Sequence, residues 1–163
     1  MQLNIRPADE ADFQGVWEIF RRVVERGETY AYDPNGGREQ VHSIWMSTSV
    51  RTYVACSEDE LIVGTYILKA NQMGPGNHVA NCGYMVADDC AGQGIGKAMC
   101  AHSLEEARKL GFEAMQFNSV VSTNVAAVHL WKKMGFSIVG TVPLGFRHPY
   151  LGLVDIYIMH RFL

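Results

Sequence analysis

Six consecutive residues near the middle of the chain, Gly92-Gln93-Gly94-Ile95-Gly96-Lys97, constrain the fold more than any other feature. Residues 78–86 before them form a strand candidate, and residues 94–110 after them form a helix candidate closed by Gly111. A strand that turns through glycines into a helix aims several backbone N–H groups and a helix N-terminus at one point, which suits a phosphate. A Walker loop needs Gly at position 91 and Ser or Thr at 98, and this chain has Ala at both. A dinucleotide fingerprint needs Gly where Lys97 stands and an acidic ribose ligand after the next strand, where residues 118–124 hold none. Two readings stay open: a phosphate-binding turn of another kind, or a glycine turn that only lets a helix pack closely on a strand.

The rest of the pattern alternates strands and helices. Residues 4–7 read as a first strand, and the acidic residues 9–12 open a helix. Phe13, Val16, Trp17, Phe20, Val23 and Val24 give that helix one apolar stripe, and Gly27 ends it. Residues 28–37, with Tyr30, Tyr32, Pro34 and two glycines, favour turns. A short helix over 38–47 carries Val41, Ile44 and Trp45. Residues 51–57 and 61–70 flank the acidic turn Glu58-Asp59-Glu60 as an antiparallel hairpin. A Gly/Pro loop spans 71–77. Beyond the glycine turn and its helix come a strand over 112–120, a helix over 123–134 stopped by Gly135, and strands over 136–141 and 154–162. The expectation is an α+β (mixed α/β) sheet with helices inserted, in one domain over 1–163 without repeat or linker.

Composition narrows the partners. A net charge of -3 provides no general field for nucleic acid or anionic lipid, so neither is expected. No stretch reaches the ~18 to 20 apolar residues of a spanning helix, and the N-terminus lacks the apolar run of a secretion signal, so the expected location is cytoplasmic. Cys56, Cys82, Cys90 and Cys100 form no C-x-x-C pair, and His42, His102 and His129 lack ligand spacing, so no metal is expected and the thiols are read as structural.

Two motifs in order resemble those of the GNAT acetyltransferases. The family's acyl-CoA loop runs Arg or Gln, two residues, Gly, one residue, Gly or Ala; Gly94 and Gly96 fill the glycine positions, and Ala91 departs from the first. The second stretch, residues 124–136, carries Asn124, Ala127, Leu130, Trp131, Gly135 and Phe136 at the family's intervals, and Ile5-Arg6-Pro7-Ala8 resembles its start. The resemblance implies a mostly antiparallel mixed sheet splayed between its fourth and fifth strands, about four helices, and acetyl-CoA as co-substrate. It also implies that the amides of Gly92, Gln93, Gly94, Ile95, Gly96 and Lys97 hold the diphosphate. The pantetheine arm would pair with Tyr84, Met85 and Val86 like an added strand, and an amide there would polarise the thioester carbonyl. Asn124 and Trp131 are the remaining expected cofactor contacts. Trp131 stands where many members carry a Tyr that protonates the leaving thiolate, which an indole cannot do; a thiol of pKa ~8.5 leaves tolerably without an acid. Packing against Phe136 is the alternative role for Trp131. Family members often dimerise, so a homodimer is expected by analogy, joined through the β-rich C-terminus.

The acceptor end is read from what it lacks. An α-amino group of pKa ~8 is partly neutral near pH 7.5, so a base need supply only ~1.4 kcal/mol. No carboxylate lies within the inner fourth strand; Asn81 is there instead, with Asn118 at the end of the fifth strand and Asn124 nearby. Neutral amides can hold a carboxylate or a water without adding charge. This trio resembles the yeast-type acetyltransferases of L-azetidine-2-carboxylate and other proline analogues. Asn81, Asn118 and the Val86 amide are therefore the catalytic candidates, and Tyr30, Tyr32, Asn81, Asn118 and Arg147 the acceptor-binding candidates. The expected reaction is transfer to a small amine or amino acid by direct attack in a ternary complex. The other readings are an acyl-CoA sensor without turnover, motivated by Ala91 and Trp131, and a protein or peptide N-acetyltransferase.

Overall fold

The computed structural model describes residues 2–163. Its strands are β1 (Asn4–Pro7), β2 (Arg51–Cys56), β3 (Ile62–Ala70), β4 (Val79–Val86), β5 (Ala114–Val121), β6 (Ser137–His148) and β7 (Gly152–Phe162). The helices are α1 (Phe13–Arg26), α2 (Arg38–Trp45), α3 (Ile95–Lys109) and α4 (Val125–Lys133). All seven strands lie in one sheet of order β1-β2-β3-β4-β5-β7-β6. Every neighbouring pair is antiparallel except β4 and β5. No helix among the described residues is long and apolar enough to cross a membrane.

The sheet is covered on both faces. On one, the α1 stripe of Phe13, Val16, Phe20, Val23 and Val24 packs with Val41 and Trp45 of α2 against Val54, Ile67 and Met85. Gly27 stops α1 in the left-handed region, φ 66°, and its N–H closes onto the Val24 carbonyl. On the other face, Met99, Cys100, Leu104 and Ala107 of α3 pack with Trp131 of α4 against Tyr66, Leu68, Tyr84 and Phe117. Burial pushes the Cys82 and Cys100 thiols up to about 12, leaving them protonated and inert at neutral pH.

β4 and β5 pair only at Val79↔Ala114 and Ala80↔Met115, then part. Tyr84 on β4, Phe117 on β5 and Trp131 of α4 meet where the strands have parted, their ring centroids 5.0–5.9 Å apart. Tyr84 is held there by its hydroxyl, 2.7 Å from Ser103 Oγ on α3.

The end of the chain differs from the sequence expectation. The strand expected over 136–141 runs on to His148, and its partner begins at Gly152 instead of position 154. Pro143 suggests a break, but β6 is the outer edge of the sheet, where a residue lacking N–H can be carried within a strand. The register slips between Val142 and Phe146, and Leu144, at φ 51°, donates its N–H to Asp155 Oδ1 at 2.9 Å. The irregularity is a bulge, not a terminus.

Candidate functional site

The parting of β4 and β5 leaves a cleft of about 790 Å³, within the range of small-molecule sites. The glycine loop forms one end. Gly92 and Gly94 sit at φ 77° and 82°, a backbone that L side chains rarely adopt, and a Cβ on either would meet nothing within 4 Å. Backbone geometry, not crowding, therefore selects glycine there, and the space in front of the loop is open. The N–H groups of residues 92–97 find no acceptor among the described residues. The N-cap of α3, Gly94, offers no side chain to satisfy them. Six unpaired amides beside the positive end of a 15-residue helix make an anion cradle. The chain's own residues thus fit a diphosphate. Ala91 contributes no side-chain cation to this cradle.

The β4 edge forms one wall. The Tyr30 hydroxyl accepts from the Tyr84 N–H at 2.8 Å and donates to the Tyr84 carbonyl at 2.6 Å. Those bonds show that the Tyr84 peptide faces away from β3, into the cleft; alternation along the strand turns the Val86 N–H and carbonyl to the same open edge. Tyr30 thus caps one edge position and leaves the next available. Burial pushes the Tyr30 hydroxyl well above its usual range, so it stays protonated and cannot act as a base near neutrality. Tyr32 stacks on Tyr30 at 5.7 Å and backs onto Phe20 at 5.0 Å, which anchors the loop to α1.

The asparagines meet at the narrow end. Asn81 Nδ2 donates to the Gln116 carbonyl at 2.9 Å, bridging β4 and β5 just past their last backbone pair. Asn118 lies in a β5 bulge, between Phe117 and Val120, where the register with β7 slips. It donates to Asn71 Oδ1 at 2.7 Å and accepts from Gln116 Nε2 at 2.9 Å. Both asparagines are tied into the structure as well as lining the cleft. Asn124 lines it too and caps α4, its Oδ1 accepting from the Ala127 N–H at 3.3 Å.

The cleft also gathers Tyr84, Met85, Val86, Gly92, Gly94, Ile95, Gly96, Lys97 and Trp131. Trp131 is buried between Tyr84 and Phe117, 6.4 Å from Phe136, and also lines the cleft. Gln93 supplies its N–H to the loop while its side chain turns away, 3.3 Å from the Asp89 carbonyl. Arg147 is a correction. It stands on β6 opposite Leu153, exposed and outside the cleft lining, because the extended hairpin carries it along the sheet edge. Two cleft features escaped sequence reasoning: the Arg26–Asp88 ion pair and Lys69. Only the pairing register of β3 with β4, which sequence alone leaves open, would have placed Lys69 beside Asn81. Among the described residues no group of three His, Cys, Asp or Glu side chains converges as a metal site.

A sequence model described as Acetyltransferase (GNAT) family matches residues 14–136. The chain is 31% identical over 98 residues to "N-acetyltransferase aca1" of Schizosaccharomyces pombe, a match that covers 60% of this chain and about half, 47%, of that protein. It is 27% identical over 159 residues to the "Peptidyl-lysine N-acetyltransferase YjaB" of Salmonella typhimurium, covering 94% of this chain and 99% of that one. A solved GCN5-related N-acetyltransferase from Kribbella flavida superposes with TM-score 0.96 at 44% identity, covering 99% of this chain and 98% of that one. A phosphinothricin acetyltransferase from Sinorhizobium meliloti, solved with acetyl-CoA, shares the fold with TM-score 0.89 at 20% identity, covering 100% of this chain and 89% of that one. With the splayed sheet and the match across most of its length, this chain belongs to the GNAT family of acetyltransferases and uses acetyl-CoA as its co-substrate.

Proposed function

We propose that the chain N-acetylates a small amine or amino acid by direct attack in a ternary complex. The observation that carries this reading is the row of unpaired N–H groups at residues 92–97, at the mouth of a cleft that narrows onto Asn81 and Asn118. Acetyl-CoA, when bound, supplies a thioester carbonyl: the amine lone pair forms the new C–N bond, the C–S bond breaks, and the departing sulfur takes up the proton the amine loses. In this reading the amides of residues 92–97 bind the diphosphate, and the Val86 edge, with Tyr84 and Met85 beside it, orients the tail. The Val86 N–H polarises the carbonyl, since Tyr30 already holds the Tyr84 N–H. Asn124 and Trp131 close the tail side.

The acceptor lies against Asn81, Asn118, Tyr30 and Tyr32. These groups position the amine and exclude water rather than remove a proton: the asparagines are neutral amides, burial keeps Tyr30 protonated, and Asp88 of the cleft lining is paired with Arg26. An α-amino group of pKa ~8, as in a peptide or an amino-acid amide, enters partly neutral; in a free amino acid the acceptor's own carboxylate raises that value, so its amine loses a proton to solvent before it attacks. The test is thiol release from acetyl-CoA over a panel of amines, amino acids and peptides: turnover with free amino acids supports the reading, and none across the panel ends it.

The Salmonella relative's name raises a peptidyl-lysine acceptor. A basic peptide would call for an acidic groove, and among the described residues Asp88 is the sole carboxylate lining the cleft, already paired with Arg26. Peptides in the panel separate the two. Pairing of two copies along the β6–β7 hairpin, whose Val139 and Leu144 are 61% and 58% exposed, belongs to the same proposal. A monomeric mass by light scattering would remove that part.

A further inference from the structure

Four charged side chains line the cleft: Arg26, Lys69, Asp88 and Lys97. Arg26 and Asp88 neutralise each other. Lys97 stands in the first turn of α3, beside the free amides. Lys69 remains, and no carboxylate among the described residues pairs with it. Its register partner on β4 is Asn81, so both side chains leave the same face of the sheet. Ile67 and Gly83 share that face, and Tyr30 lies over them: a Cβ on Gly83 would come 3.7 Å from the Tyr30 hydroxyl and 3.8 Å from Ile67.

Distance assigns the charge to one end of the cleft. Val86, next to the glycine loop, is five residues along β4 from Asn81, roughly 16 Å at strand rise. That exceeds the span of a lysine side chain, so Lys69 cannot serve a diphosphate held at residues 92–97. It stands at the acceptor end beside Asn81, and Asn118 and Ser119, which line the same cleft, are neutral as well. Such neighbours can hydrogen-bond an anion without cancelling the charge that draws it in. The same lone cation repels polyamines and lysine-rich peptides, which is discrimination by an opposing charge.

Resting on the acetyl-transfer reading above, we propose that Lys69 recognises an oxyanion on the acceptor, a carboxylate, and that the molecule acetylated is therefore an amino or imino acid. Lys69 is a specificity residue here; the transfer itself needs only the amine and the thioester. Its neutral surroundings leave the acceptor's carboxylate as the group that completes the ion pair.

The experiment compares L-azetidine-2-carboxylate, L-alanine and L-methionine, each against its carboxamide, in the wild type and in Lys69→Gln and Lys69→Arg. The acids are the better substrates of the wild type. Lys69→Gln raises KM for the acids about tenfold with kcat nearly unchanged, as expected for one lost ion pair near the surface, and leaves the amides alone. Lys69→Arg restores the acids. Equal use of acids and amides by the wild type, or equal losses for both in Lys69→Gln, overturns the proposal, as does turnover confined to polyamines or peptides. Calorimetry with coenzyme A separates the causes. Absent binding ends the acetyl-transfer reading itself, whereas intact binding without preference for the acids ends only the role of Lys69.

Discussion

The Tyr30 hydroxyl makes two hydrogen bonds to the backbone of one residue, Tyr84, so its removal in Tyr30→Phe strands a donor and an acceptor on the cleft wall. An unpaired half-buried group costs on the order of 1–3 kcal/mol, and chemical denaturation of Tyr30→Phe is expected to show a loss of that size. Stability equal to the wild type would mean that water replaces the hydroxyl. Gly94 stands at φ 82°, where a Cβ costs roughly 1–2 kcal/mol of backbone strain. Gly94→Ala should therefore relax toward another geometry and weaken coenzyme A binding about tenfold, read by titration calorimetry. Unchanged affinity would show that the loop amides do not grip the diphosphate. In the sequence Asn81 and Asn124 are legible only as neutral amides near a cleft. Their second, structural tasks, bridging β4 to β5 and capping α4, depend on contacts that no spacing rule specifies.

Among the elements, α3 carries a titration the fold must feel. His102 Nδ1 lies 2.7 Å from the Tyr66 hydroxyl, and burial holds the imidazole below its usual value. A depressed histidine pKa means that the unfolded chain takes up a proton before the native one, so stability falls as the pH drops below about 6.5 toward the folded value. Denaturation at pH 7.5 and 5.5 should show a smaller loss in His102→Gln than in the wild type, and identical losses would contradict the sign. The helices were legible because their punctuation is local: the stripe of α1 with Gly27, and the stop of α4 at Gly135, are visible residue by residue. The extension of β6 was not. Pro143 and Gly145 look like an ending unless the strand is known to be the sheet's edge, and edge position is a property of the whole sheet. Trp131 joins α4 to the sheet. Its packing between Tyr84 and Phe117 implies that Trp131→Phe keeps transfer within a few-fold while losing roughly 1–3 kcal/mol of stability; loss of turnover in a folded variant would assign it a chemical role.

At the scale of the molecule, what sequence conveyed was order: a strand, a glycine loop and a helix, followed by a second motif at fixed distance. It was the resemblance of that order to the GNAT family that implied the splayed sheet before any contact was known. The acceptor end comes from register, which pairs Lys69 with Asn81 across two strands, and the three aromatic rings of β4, β5 and α4 meet only in the folded chain. Neither is readable from periodicity. The account rests on one assembly, six free amides at the mouth of a gap between β4 and β5. Titration of the folded protein with coenzyme A tests it most directly. The account predicts one site per chain, saturating below about 1 mM as co-substrates of enzymes commonly do. No heat of binding at that concentration, in protein shown by circular dichroism to be folded, would contradict it.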